Sequence, residues 1–200
     1  MKEFLTANTI RNNVLKMAHK IVKDGFIPDV IYVSLRGGAN IANVLSEYFK
    51  LLNLEKPVMF AAVVARSYSN IRQHSKVMVD GWTYSPDYLR VGDKVLLIDD
   101  IFDTGNTINS LVEIIMDKGI PRDNVKVAVH DYKYFTEQEV QLPIQPDYYC
   151  RKFVLPNREK DNWFHYLDHE LIGLTKDELE EWYYKEDPEL REVLGPLFDK

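Results

Sequence analysis

Apolar positions along the chain alternate between a helical and an extended period. Between Thr6 and Lys23, residues Ile10, Val14, Met17 and Ile21 recur at helical spacing and predict an amphipathic first helix, with Gly25 as its stop. Val30–Leu35 (VIYVSL) is a near-continuous apolar run that meets Arg36-Gly37-Gly38, after which Ala39, Ala42, Leu45 and Phe49 resume the helical period as far as Lys50. Val58–Ala65 predicts a second buried strand, and the polar stretch from Arg66 to Lys76, which has no apolar period, predicts a mobile loop. A turn at Gly92-Asp93 leads into the strand Val95–Ile98, which ends in Asp99-Asp100. Ile108, Leu111, Val112 and Ile115 then form another helical stripe closed by Gly119. Val125, Val127 and Val129 alternate as a further strand, Pro143 and Pro146 break the chain, and Tyr148–Val154 adds a last strand. Thr175-Lys176-Asp177-Glu178 reads as a capping box opening an acidic helix with Leu179, Trp182 and Tyr183. Buried strands alternating with helices predict an α/β fold whose mainly parallel, twisted sheet is flanked by helices on both faces. The expected division is a main domain over residues 1–170, with a small hood built from the N-terminal and 143–170 segments, and an acidic helical extension over 171–200.

Composition narrows the function. With 200 residues, 46% hydrophobic and 28% charged, the chain is long enough for one core without disulfides or a structural metal. Cys150 is the single cysteine, which fits a reducing compartment and predicts a small buried hydrophobe there. The longest apolar run is far too short to span a bilayer, and the amino-terminal stretch has no apolar core of a signal peptide. A cytoplasmic protein with no membrane partner is expected. The net charge of −6, from 25 basic and 31 acidic residues, argues against broad nucleic-acid affinity, which needs a concentrated basic surface.

The chemistry is concentrated in VLLIDDIFDTGNT, Val95 to Thr107. A buried strand delivers two adjacent carboxylates, then a third, then a Thr-Gly-Asn-Thr loop that opens a helix. The carboxyl ends of strands in an open α/β sheet form its ligand crevice, and a helix amino terminus presents unpaired N–H groups that favour an anion. Asp103, Thr104, Gly105, Asn106 and Thr107 therefore read as a phosphate cradle. Gly105 admits close backbone approach, and the hydroxyls of Thr104 and Thr107 can donate to phosphate oxygens. Asp99 and Asp100 cannot bind phosphate themselves, but they can accept from a sugar diol or help hold a divalent cation. A phosphorylated sugar meets both demands.

This stretch resembles the 5-phosphoribosyl-1-pyrophosphate (PRPP) signature of the type I phosphoribosyltransferases. The resemblance implies that fold, with Asp99 and Asp100 on the ribose hydroxyls and Mg2+, Asp103 to Thr107 around the 5-phosphate, and Asp103 also beside the attacking base nitrogen. Leu35, Arg36, Gly37 and Gly38 resemble the pyrophosphate loop of the 6-oxopurine enzymes. A cis peptide is common there, which makes Arg36-Gly37 the expected site of backbone strain. Ser67-Tyr68 resembles the start of the catalytic lid, and Lys133 stands where those enzymes carry a lysine that donates to the purine O6. Trp163, within Asp161-Asn162-Trp163-Phe164, is similar to the aromatic that stacks on the purine, with Phe164 beside it. The resemblance thus implies a purine-salvage transferase that uses PRPP, Mg2+ and hypoxanthine, guanine or xanthine, the choice of base being left open. A homodimer or homotetramer is expected, with small molecules rather than nucleic acid as ligands. Two alternatives belong to other classes: a non-catalytic PRPP-binding regulator of the same fold, and an aspartyl phosphotransferase with Asp103 as nucleophile.

Overall fold

The computed structural model describes residues 2–52, 55–68, 76–137 and 141–198. In chain order they form β1 (Lys2–Leu5), α1 (Ala7–Lys23), β2 (Val30–Leu35), α2 (Ala39–Leu52), β3 (Met59–Tyr68), β4 (Lys76–Trp82), β5 (Val95–Phe102), α3 (Asn106–Met116), β6 (Val125–Phe135), β7 (Tyr148–Leu155), β8 (Trp163–Tyr166), α4 (Lys176–Leu179) and α5 (Leu190–Phe198). Two compact units result, one spanning Ile10–Asp161 and the other formed by the residues before it together with those from Asn162 onward.

The larger unit is built on a six-stranded sheet of order β4-β3-β2-β5-β6-β7, parallel except for the β3–β4 pair. Its central strands are apolar on both faces because both are covered. Tyr32, Val63, Leu97 and Val127 cluster with Ile108, Leu111, Val112 and Ile115 of α3. The alternate residues Ile31, Val33, Leu96 and Ile98 point to the opposite face, where α2 packs on β2 and β5. On α1, Ile10, Val14, Met17 and Ile21 are all buried, as their spacing predicts, and Met17 meets Cys150 of β7 at 3.8 Å. Gly25 and Gly119 take left-handed conformations, with φ of 79° and 87°, where the helices before them end.

Four expectations are corrected. The polar stretch from Arg66 onward is not wholly a loop, because β3 continues to Tyr68 and pairs antiparallel with β4, Arg66 opposite Met78 and Tyr68 opposite Lys76. Arg66 also clamps Asp80 across the hairpin through Nε and Nη2 at 2.6 and 2.7 Å. The intervening residues 69–75, which carry the rest of the expected loop, lie outside the described residues. The second strand is buried only at Ala61 and Val63, whereas Phe60 and Val64 are 41% and 39% exposed. Near the sheet edge, α3 packs on β3 and β4. Cys150 is half-buried rather than enclosed.

The fourth correction concerns the smaller unit. Its capping box forms as expected, Thr175 Oγ1 accepting from Glu178 N at 3.2 Å and the Glu178 carboxylate accepting from Thr175 N at 2.7 Å. The acidic helix it opens is not α-helical throughout: four α-helical residues run on without a break into a π turn at Glu180–Tyr184, ahead of α5. Leu174, Leu179, Tyr184 and Leu194 make a small core there, while β1 and β8 pair in parallel, Lys2 opposite Trp163 and Leu5 opposite Tyr166. No helix among the described residues is long and apolar enough to cross a membrane.

Candidate functional site

The carboxyl end of β5 brings the predicted acids together. Val95 to Ile98 are fully buried, Asp99 and Asp100 are half-buried, Phe102 turns back into the core, and Asp103 emerges at the start of the loop into α3. Gly105 caps α3 with φ +77°, and a Cβ on it would lie 2.3 Å from Cζ of Phe102, so conformation and space both demand glycine. Around this turn Asp99, Ile101, Phe102, Asp103, Thr104, Gly105, Thr107 and Ile108 line a cavity of about 140 Å³. The first amides of α3 have no partner within their own helix, and the two threonine hydroxyls stand beside them. The arrangement suits a small tetrahedral anion.

The β2–α2 turn lies flush against the same strand end. A Cβ on Gly38 would fall 2.8 Å from the Ile98 carbonyl oxygen, and one on Gly37 would fall 2.3 Å from the Asp100 carboxyl carbon. A cis peptide is present, at Leu35–Arg36 and so one bond earlier than Arg36–Gly37 where it was expected. Arg36 itself is exposed. Asp100 N donates to Asp99 Oδ1 at 3.0 Å, and Ile101 N donates to Asp100 Oδ1 at 2.8 Å. Burial raises the Asp99 carboxyl well above the usual carboxylate range and the neighbouring Asp100 raises it further, against hydrogen bonds from Ser34 and the Asp100 amide. Two adjacent carboxylates, one of them disfavoured as an anion, are a donor set that a hard divalent cation relieves. Among the described residues no cluster of three or more His, Cys, Asp or Glu could hold such an ion alone. The pair therefore fits Mg2+ in its usual manner, with one or two carboxylates completed by substrate oxygens and water.

Sequence reasoning missed two residues. Both lie in the single 3₁₀ turn Arg158–Lys160 and its cap, just after β7. Arg158 Nη1 reaches both carboxylate oxygens of Asp103, at 3.0 and 3.2 Å, while its guanidinium lies 4.7 Å from the Phe135 ring centroid. Three residues on, Asp161 pairs with Lys133, whose Nζ donates to Oδ2 at 2.8 Å. Lys133 is 7% exposed, so it is a buried cation rather than a solvated one. Side chains at i and i+3 eclipse in a 3₁₀ turn, so one turn meets two predicted site residues, each with the opposite charge. Arg158 also lines a cavity of about 390 Å³ with Thr104, Asn106, Phe135, Glu137, Leu142 and Asn157. The spacing of Arg158 and Asp161 was visible in the sequence. Their partners, 55 and 28 residues away, were not.

A second unpredicted group lies deeper. His130 and Asp131, both fully buried, join through Nδ1 and Oδ2 at 3.0 Å; Asp131 Oδ1 accepts from Arg151 Nε at 2.5 Å, and Asn13 of α1 meets His130 Nε2 at 3.3 Å. These bonds satisfy charges that the strand carries into the core. Ser67 and Tyr68 end β3, and the lid expected to follow them falls on residues outside the described ones. On the smaller unit Trp163 is 61% exposed, and Phe164 is buried.

Comparison with known proteins bears on this geometry. A family model described as a phosphoribosyl transferase domain matches residues 1–161. Bifunctional protein PyrR of Geobacter sp. (strain M21) is 28% identical over 162 residues, covering 79% of this chain and 86% of that protein. Among solved structures, a purine phosphoribosyltransferase from Pyrococcus horikoshii Ot3 superposes with a TM-score of 0.65 at 21% identity, over 88% of this chain and 98% of that one. Hypoxanthine phosphoribosyltransferase from Trypanosoma cruzi, complexed with the product IMP, gives a TM-score of 0.56 at 23% identity over 75% of each chain. At these identities the structural likeness shows the fold.

Proposed function

The chain belongs to the phosphoribosyltransferase family, and from that premise we propose that it is a purine-salvage enzyme, transferring the 5-phosphoribosyl group of PRPP to a 6-oxopurine to give the nucleoside monophosphate and diphosphate. The observation that carries this reading is the β5–α3 turn, where Asp99, Asp103 and Gly105 border a cavity sized for a phosphate.

In this reading the 5-phosphate sits in that cavity, held by the amides of Asp103 to Thr107 and the hydroxyls of Thr104 and Thr107. Binding energy spent on this remote group orients C1 for attack. Asp99 and Asp100 accept from the ribose hydroxyls and hold Mg2+, which when bound neutralises charge on the diphosphate. Arg36, with the amides of Gly37 and Gly38 in the loop that begins at Leu35, stabilises the departing diphosphate. Asp103 takes up the N7 proton as N9 attacks C1, which requires Arg158 to release its carboxylate. Lys133 donates to the base carbonyl, Trp163 and Phe164 are assigned to the base, and Ser67 and Tyr68 begin a lid that excludes water. The enzyme is proposed to work as a cytoplasmic homodimer or homotetramer.

The test is to incubate the purified protein with PRPP, MgCl2 and, separately, hypoxanthine, guanine, xanthine, adenine and uracil, following nucleotide formation by chromatography. Product from at least one oxopurine and none from adenine is expected. A second reading is a non-catalytic PRPP-binding regulator of the same fold. Its sign is PRPP binding with no product from any base.

A further inference from the structure

We propose that the smaller unit holds a second binding site, for a small organic amine: a primary ammonium group on an apolar body. Thr6 and the first residues of α1 join the carboxy-terminal stretch there to line a cavity of about 640 Å³. That size lies within the range of small-molecule pockets. Its apolar wall is Leu167, Trp182, Tyr183 and Leu190, and its charged residues are Glu186 and Asp187. No Lys, Arg or His is among the described residues that line it. None of these side chains has a part in the transfer reading, and the chain from residue 162 on lies beyond the family match.

The wall is set before any ligand arrives, which lowers the cost of binding. Phe4 stacks on Trp182 with ring centroids 5.1 Å apart and planes 23° from parallel. Tyr183 Oη donates to the Glu170 carbonyl at 3.1 Å, and Leu167 N donates to the Leu5 carbonyl at 2.9 Å. Trp182 and Tyr183 both belong to the π turn, which Lys185 N closes on the Glu180 carbonyl at 3.1 Å. Such wide turns are rare and recur at functional sites. The Glu186 carboxylate has no hydrogen bond or ion pair among the described residues, and Asp187 uses Oδ1 to accept from Glu189 N at 3.0 Å. Both acids are exposed, and two acids are too few to hold a metal ion alone. The indole beside them decides the ligand. Tryptophan is the best aromatic partner of a cation, and the apolar wall takes up a carbon body that an inorganic cation lacks. An anionic ligand meets two like charges instead.

The test titrates the full chain with phenethylamine and hexylamine, and with phenethyl alcohol and phenylpropionate, which keep the ring but replace the ammonium by a neutral and an anionic group. Binding is read by calorimetry and by the indole N–H signals of the three tryptophans in isotope-labelled protein, assigned through Trp182→Phe. Phenethylamine is expected to shift the Trp182 signal most and to bind about 10- to 100-fold more tightly than the alcohol, with phenylpropionate weakest. The double variant Glu186→Gln, Asp187→Asn changes only exposed side chains, and its asparagine still accepts from Glu189 N. There the amine is expected to lose about tenfold in affinity while the alcohol stays within about twofold. Equal affinity for the amine and its two analogues overturns the proposal, as does an amine affinity that the double variant leaves unchanged. A shift confined to Trp82 or Trp163 overturns it too, and so does the absence of binding by either amine at millimolar concentration. None of these readouts involves turnover with PRPP, so the proposal and the transfer reading fail separately.

Discussion

The α-hydrogen of Gly37 points at the carboxylate of Asp100, so that a β-carbon in its place would lie 2.3 Å from the carboxyl carbon and 2.3 to 2.4 Å from its oxygens. The obstacle is a side chain, and Asp100 can rotate away at the loss of the 2.8 Å bond from Ile101 N. Gly37→Ala is therefore expected to leave stability within about 1 kcal/mol while misplacing a carboxylate the reaction needs. The measurement is kcat/KM for PRPP, expected to fall by about 100-fold, beside a thermal melt. An unchanged kcat/KM would remove Asp100 from the site.

Gly38 makes the contrast. Its missing β-carbon would meet backbone, the Ile98 oxygen at 2.8 Å and the Ser34 oxygen at 3.0 Å, and backbone in the centre of a sheet cannot turn aside. Gly38→Ala is expected to cost about 1–3 kcal/mol of stability, read as a lower denaturation midpoint. A variant as stable as the wild type would mean that the β2–α2 turn is looser than drawn.

Much of this was legible in the chain because the relevant signals are local. The run Val95–Ile98 followed by Asp99-Asp100 announces a buried strand with acids at its exit, and the stripe Ile108, Leu111, Val112 and Ile115 shows what covers it. What failed to show was non-local. Strand β4 carries alternating Val77 and Val79, but only pairing with β3 makes a strand of a segment that follows a polar stretch. Strands β1 and β8 have four residues each, too few to establish a period. Arg158 and Asp161 read as ordinary surface charges until the fold sets Asp103 and Lys133 opposite them.

Asp99 ties stability to pH. Its carboxyl is raised well above the unfolded value, chiefly by burial and then by Asp100, so the folded state prefers the proton. Its contribution to stability is fully present below the unfolded pKa of about 4 and is lost as pH rises through the folded value. Asp99→Asn removes that loss. Without ligand, the variant is expected to melt above the wild type at pH 7 to 8, with the gap closing as pH falls towards 4, while turnover with PRPP is lost. Parallel melting curves across that range would show that Asp99 bears its charge without penalty.

Cys150 provides a check on the larger unit away from the site. Burial, aided by the charge of Asp131, pushes its thiol up to about 12. At pH 8 the thiolate fraction is then about one part in ten thousand, so alkylation is expected to be far slower than for a free cysteine and to become rapid on unfolding. Iodoacetamide labelling followed by mass spectrometry measures it. Fast labelling of the native protein would mean that the contact between Met17 and Cys150 opens readily.

Arg158 and Asp103 set competing demands on one carboxylate. Their side chains are 53% and 38% exposed, and an ion pair so open to solvent contributes only about 0.2–1 kcal/mol to folding. Removing the arginine therefore costs little stability. It also frees the carboxylate that the incoming base needs, so Arg158→Ala is expected to lower KM for the base several-fold with kcat held or raised. Asp103→Asn removes the proton acceptor itself and is expected to cut kcat by about 100-fold or more, the usual worth of a general base, with PRPP affinity retained. Steady-state kinetics on the two variants and their double mutant separate the roles. If Arg158 acts only by occluding Asp103, its effect on KM disappears in the Asp103→Asn background. If the effect persists there, the guanidinium touches the substrate directly, and Arg158 belongs among the binding residues.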